Sequence, residues 1–315
     1  MQNASFLRRV QRDMRRNWSA YLLVLPVIVY FILFHYKAMY GVIIAFKKFS
    51  IRKGIMGSDW VGLQYFEEFI GSYYFWRLLK NTLTISVSSL IFGFPAPIIF
   101  ALLLNEVRFT WYKKTIQTIS YMPHFVSLVV ICSLVRQFTA SGGILVEFFS
   151  LFGYDGRFDM LNHANLFVPI YVGSDIWQNV GWNCIIYLSA LTSIDTELYE
   201  AARIDGANRW QQTLHVTLPV TLPVTLPGIL GTVVLLLILR VGSLMNVGYE
   251  KVILLYNEGI YETADVIQSY VYRRGLVQGD YSYSTAIGLF NSLVNVILVV
   301  SANAASKRVA GMGLF

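Results

Sequence analysis

The sequence predicts an all-α membrane protein of six transmembrane helices with a distinctive cytoplasmic loop. Composition is the first ground. Of 315 residues, 56% are hydrophobic and only 14% charged, against ~45–50% and ~25% in soluble domains. That little charge cannot cover a water-facing surface. The second ground is a set of charge-free windows long enough to cross a bilayer, which takes about 20 apolar residues at ~1.5 Å each. They occur at 17–36, 81–105, 115–135, 176–194, 210–239 and 281–306. A helix bonds its own backbone groups, as lipid demands. The third ground is the basic cluster before the first window, Arg8, Arg9, Arg12, Arg15 and Arg16 against the single acid Asp13, which places the N-terminus in the cytoplasm.

The first window carries no small-residue cleavage site and reads as an uncleaved anchor. The outer loop that follows, 37–80, is rich in aromatic residues. Trp60, Tyr65, Tyr73, Tyr74 and Trp76 suit a membrane interface or simple helix anchoring. The fourth window extends upstream to near Val168, which puts Asp175 within or just above the membrane. The fifth is too long, and its first ten residues read as loop. There the tandem TLPVTLPVTLP places Pro219, Pro223 and Pro227 four residues apart. Each removes a backbone donor, so the entry to this span is expected to bend or break. Before the last window, 261–274 reads as a helix lying along the membrane. Six crossings return the C-terminus to the cytoplasm. The resulting division is 1–76 (N-terminus, first helix and outer loop), 77–306 (a five-helix core) and a tail, 307–315.

The net charge of +7 comes from 25 scattered Lys and Arg residues, mostly flanking apolar runs, and does not form a nucleic-acid surface. Cys132 and Cys184 sit in apolar stretches and imply no disulfide framework. No GxxxxGK[ST], HExxH or GxSxG occurs, and His35, His124, His163 and His215 lie too far apart to suggest a metal site. No enzyme and no cofactor of the chain's own are expected. A secondary transporter more often buries ionisable groups in its spans; Asp175 is the clear candidate here, near one end of its window.

The inner loop 194–219 is unlike the others. Asp195 or Thr196 can cap a short helix, with Glu197 and Glu200 in its first turns, where negative charge is favoured. Gly206 sits where that helix should end. A second short helix is expected over 208–215. Together they form a stiff knob, slim at Ala201 and Ala202.

The pattern Glu200-Ala201-Ala202, three residues, Gly206, nine residues, Val216-Thr217-Leu218-Pro219 resembles the EAA loop of bacterial ABC importer permeases. Val216 stands where that family has Ile. The six windows, the SGG at 141–143 and NVGYEKVILLYN at 246–257 are similar to the carbohydrate permeases of this MetI-like group, which import oligosaccharides and polysaccharide fragments. The resemblance implies that the knob docks in a cleft of a cytoplasmic ATPase. Glu200 would face a basic residue there, Ala201 and Ala202 would permit close approach, and Gly206 would fix the turn, with Asp205 beside it in the same coupling segment. It further implies a bacterial inner-membrane location and a second, related permease forming a heterodimer. Two ATPase subunits holding ATP and Mg and an extracytoplasmic solute-binding protein complete the expected assembly, with alternating access driven by ATPase closure.

The cargo pathway is expected along the fourth window. Asp175, Gln178, Asn179 and Trp182 follow i, i+3, i+4 and i+7, one helical face. Amides, a carboxylate and an indole suit sugar hydroxyls and ring faces; bonding to neighbouring helices is the competing explanation. In maltose-type permeases matching positions contact sugar. Asn183 lies one step round, and Asn246, Asn291 and Asn295 are further candidates against a helix-packing alternative. An ABC permease for a non-sugar solute and a stand-alone secondary transporter remain open at this point.

Overall fold

The computed structural model describes residues 12–153, 158–192, 194–217, 229–310 and 313. Arg8, Arg9, Leu218, the three prolines of the TLPV tandem and the tail beyond Ala310, Gly313 apart, lie outside the described residues.

The chain is mostly helical. Helix α1, Trp18–Phe46, runs from an α-helix through a π turn at Phe31–Tyr36 to a 3-10 turn at Tyr40–Phe46. No residue of its most apolar stretch is buried within the chain, which is how a lipid-facing helix reads. A two-stranded antiparallel ribbon follows, β1 Lys47–Lys48 against β2 Asp59–Trp60 in the register Lys47↔Trp60. After α2, Gln64–Ile70, comes α3, Tyr74–Glu106. Pro95 cannot donate to the turn before it, and α3 accommodates this by widening into a π turn at Ser89–Gly93.

The third window does not form one helix. Helix α4, Thr110–Tyr121, ends in a 3-10 turn at Met122–Phe125 that contains Pro123. Ser127 then starts α5, Leu128–Thr139, its hydroxyl accepting from the Val130 N–H. A turn carrying the SGG separates α5 from α6, Ile144–Ser150. The apolar segment of this region is therefore Leu128–Ser150; among the described residues it is one of four segments long and apolar enough to cross a membrane, with Trp18–Phe46, Tyr74–Glu106 and Tyr281–Arg308.

Helix α7, Phe167–Thr192, has 26 residues. Then come α8, Thr196–Ile204, and α9, Arg209–Gln212, which continues as a π turn through Thr217. Helix α10, Ile229–Gly242, is followed by α11, Tyr249–Leu255. The predicted helix over 261–274 is broken at Asp265 into α12, Tyr261–Ala264, and α13, Ile267–Tyr272. The 30-residue α14, Tyr281–Ala310, closes the chain.

Helix α7 is the axis of the fold, packed on α3, α4, α10 and α11. Three apolar clusters hold the helices together, two of them built on α7. Ile85, Ile131, Phe167, Tyr171, Val252 and Ile260 join α3, α5, α7 and α11. Phe69, Leu78, Met245, Ile267 and Ile287 hold α2, α3, α13 and α14. Leu104, Cys184, Tyr187, Leu191 and Ile194 lock the end of α3 to the end of α7.

Candidate functional site

Two regions carry chemistry that packing alone does not explain. The first is the segment from α8 to α9. Asp195 caps α8, its Oδ1 accepting the Glu197 N–H over 3.0 Å. The helix ends at Gly206, whose φ of +81° is the left-handed conformation that side chains resist. The Ala207 N–H bonds the Ala202 carbonyl and the Gly206 N–H bonds that of Arg203, the paired closure of a Schellman motif. Asn208 then opens α9 through a reciprocal capping box with Gln211.

Side-chain ties stiffen this protrusion. Tyr199 Oη lies 2.9 Å from Thr217 Oγ1, Gln212 Nε2 donates to the Ala207 carbonyl, and Arg209 pairs with Glu106 Oε2 at 3.1 Å. Leu198 and Tyr199 rest on the apolar cluster at the base of α7. The outer surface is uncovered. No residue of α8 is buried; Glu200, Ala201, Asp205 and Gly206 are exposed and Ala202 half-buried. Ile204 is 87% exposed and Trp210 70%. Those two large apolar groups beside an acid were not singled out by the sequence pattern, although their exposure on a short polar loop is the signal of a contact surface.

The second region is polar and lies against α7. Asp175 Oδ1 accepts from Asn179 Nδ2 at 3.1 Å and faces Lys251 Nζ at 3.7 Å, an ion pair too long to be a hydrogen bond. Lys251 is nearly sealed from solvent, its side chain 4% exposed, and its ammonium sits 5.0 Å over the Tyr171 ring. Burial pushes Lys251 below the ordinary lysine range, against the upward pull of Asp175. His124 Nδ1 donates to Asn179 Oδ1 over 3.0 Å, and its ring stacks on Trp182 with centroids 4.8 Å apart. Gly181 makes this contact possible: a Cβ there would strike the backbone of Ser120, so α4 and α7 meet with nothing between.

Two cavities open here. One, of about 210 Å³, is walled by Phe94, Asp175, Asn179, Asn183, Tyr187 and Arg240, among others. The other, of about 260 Å³, is bounded by Ser86, Tyr171, Asp175, Arg240 and Asn246, among others. Asp175 and Arg240 border both. The face of α7 turned to the first cavity is thus 175, 176, 179, 180, 183, 186 and 187. Of the sequence candidates, Asp175, Asn179 and Asn183 line it, Gln178 is buried, and Trp182 lies against His124. Arg240 and Lys251 were missed because only the fold brings them to Asp175.

The three remaining asparagines converge. Asn246 Oδ1 accepts from Asn291 Nδ2, Asn295 Nδ2 and Gln268 Nε2, each at 3.0 Å, and Asn295 Oδ1 accepts the Met245 N–H at 3.1 Å. This hub fastens α13 and α14 to the segment after α10, as the packing alternative expects. Among the described residues, no group of His, Cys, Asp and Glu could hold a metal ion.

A helical chain with lipid-facing helices, a polar cavity against its central helix and an uncovered protrusion at one end is a membrane transport subunit by build. Residues 93–311 match the family of binding-protein-dependent transport system inner membrane components, and the chain belongs to it. It is 44% identical to Protein LplB of Bacillus subtilis (strain 168), over 99% of this chain and 94% of that protein. It is 43% identical to the polygalacturonan/rhamnogalacturonan transport system permease protein YteP of the same organism, over 94% and 89% respectively. The crystal structure of a bacterial alginate ABC transporter in complex with an alginate pentasaccharide-bound periplasmic protein includes a chain of the same fold. Its TM-score is 0.86 at 41% identity, covering 97% of this chain and 100% of that one. The chain is therefore a non-catalytic permease subunit of an ABC importer, with the ATPase in a separate partner. This sets aside the stand-alone secondary transporter.

Proposed function

We propose that this permease carries oligosaccharides or polysaccharide fragments across a bacterial inner membrane through six helices, both termini cytoplasmic. The crossings would be α1, α3, the Leu128–Ser150 segment, α7, α10 and α14. Helices α7 and α10 join the four long apolar helices because one is long enough and the other follows a further apolar run. Saccharide cargo is favoured over a non-sugar solute by the relatives named for polygalacturonan, rhamnogalacturonan and alginate. A second, related permease, two ATPase subunits holding ATP and Mg, and a solute-binding protein complete the assembly. The alginate transporter's complex with a periplasmic protein supports the last of these.

The protrusion of α8 and α9 is the coupling element. One observation carries this reading: a stiff, double-capped knob presents Glu200, Ala201, Ile204 and Trp210 to solvent, with nothing in the described chain covering them. A cleft in the ATPase would cover them, Glu200 meeting a basic residue and the two alanines allowing close approach. Force entering there reaches α7 through Leu198, Tyr199 and Ile194, so closure of the ATPase pair tilts the helix that lines the cavities.

Ile204→Asp tests this without touching the fold, because Ile204 packs on nothing. It should strip the ATPase from the purified permease and lower uptake at least tenfold at unchanged permease level. Gly206→Val, which forces a β-branched residue into left-handed backbone at about 1–2 kcal/mol, should do the same by deforming the knob. Normal ATPase co-purification and uptake in both variants would end the docking assignment.

A further inference from the structure

Arg240 is exposed and differs from the arginines that are tied to neighbours. Arg77 and Arg273 share Asp265, Arg274 pairs with Asp280, Arg209 with Glu106, and Arg136 reaches the Tyr256 carbonyl. Among the described residues Arg240 makes no ion pair and no side-chain hydrogen bond. It nonetheless borders both cavities. Its place in the last turn of α10 explains why a cation is tolerated there, since the carbonyl end of a helix favours positive charge. The helix dipole does not occupy the five N–H donors of a guanidinium.

Charge accounting around the cavities gives the same direction. The charged side chains that line the two cavities are Asp175 and Arg240; Lys251 stands behind Asp175 at 3.7 Å and offsets part of its charge, which leaves Arg240 without a partner of its own. Neither space alone reaches the ~300–1,000 Å³ of small-molecule sites. Asp175 and Arg240 wall both, so a sugar unit in either space lies beside them.

Resting on the saccharide-importer reading, we infer that Arg240 is a specificity residue for an anionic cargo, its planar fork receiving a carboxylate of an acidic sugar in transit. A guanidinium takes a carboxylate through two parallel N–H···O bonds, which a hydroxyl cannot reproduce. The rest of the lining suits the rest of a sugar acid. The Asn179 and Asn183 amides can bond hydroxyls, Asp175 can accept from one, and Phe94 and Tyr187 offer apolar faces to the ring. The Asp175–Lys251 pair keeps the acidic wall from repelling the carboxylate. A neutral oligosaccharide would leave the Arg240 donors unmatched at the point where cargo passes.

The test uses the complete importer with its binding protein in proteoliposomes. The probes are trimers of galacturonate and of mannuronate, neutral arabino- and malto-trisaccharides, and a hexose phosphate. At least one uronate trimer should stimulate ATP hydrolysis and accumulate in wild-type vesicles. Arg240→Gln should cut that uptake at least tenfold while ATPase co-purification and the binding protein's affinity stay unchanged. Arg240→Lys, which keeps the charge without the fork, should recover an intermediate rate; a purely structural role for Arg240 would not produce this grading. Uronate uptake within twofold of wild type in Arg240→Gln overturns the inference. So does stimulation by neutral trimers alone, or by the hexose phosphate alone. Failure of every saccharide to stimulate wild type would instead sink the importer reading on which this one stands.

Discussion

Asp265 and Asp175 both pair with a basic side chain, and their surroundings differ in kind. Asp265 is wholly buried and saturated. Arg273 grips it through both oxygens at 2.6 and 3.3 Å, Ser269 donates at 2.7 Å, and Arg77 stands 3.9 Å away. Its own backbone carbonyl is taken by Asn81. Asp175 is 35% exposed and keeps one long ion pair and one amide, with two cavities at its side. A buried charge hydrogen-bonded at both oxygens pins elements together, here α3 to the break between α12 and α13. A charge left half-matched beside open space has capacity to spare for a passing ligand. Burial alone does not separate structural from functional charge; saturation does.

Breaking each carboxylate should therefore do different things. Asp265→Ala strands Arg273 and leaves Arg77 without its carboxylate, and a loss of about 3–5 kcal/mol is expected, read as a large fall in melting temperature in detergent. A drop of under a degree would mean the network is not structural. Asp175→Asn should cost only about 1 kcal/mol, because solvent and Asn179 share its environment, yet it should impair uptake more than any stability change explains. Equal loss of both would erase the contrast.

The smallest effect is a slope. Because folding lowers the Lys251 pKa beneath its unfolded value, the unfolded chain holds the proton that the folded chain has lost between the two. Stability contributed by this residue consequently rises with pH towards ~10.5, the unfolded lysine value. Lys251→Met should flatten that rise, measured as melting temperature between about pH 8 and pH 10. An unchanged slope would show that Lys251 is not sealed as its burial indicates.

Much of the helical plan was legible because lipid-facing helices leave a coarse signal. The windows at 81–105 and 281–306 fall within long helices, that at 17–36 starts one residue before its helix, and the start of the fourth near Val168 is one residue from Phe167. The third window failed for a local reason: hydropathy averages straight through Pro123 and Ser127, where one helix stops and another is capped. The knob was readable because caps are local. Asp195, Gly206 and Asn208 act on neighbours within a few residues. The cavity was only half readable. The sequence favoured 175, 178, 179 and 182, whereas the open face is 175, 176, 179, 180, 183, 186 and 187, a rotation of about 80° at 100° per residue. Which way a polar stripe turns is decided by its neighbours. The His124 ring captures Trp182, while Arg240 and Lys251 arrive from elements sixty or more residues away.

Tyr187 belongs to two neighbourhoods at once. It walls the cavity that Asp175 and Arg240 border, and it is packed among Leu104, Leu191 and Ile194 in the cluster on which α8 rests. A single phenol ring thus separates the place where a motor would push from the place where cargo would lie. No long lever or slack linkage intervenes, so a tilt of the knob cannot be absorbed before it alters the walls around the sugar.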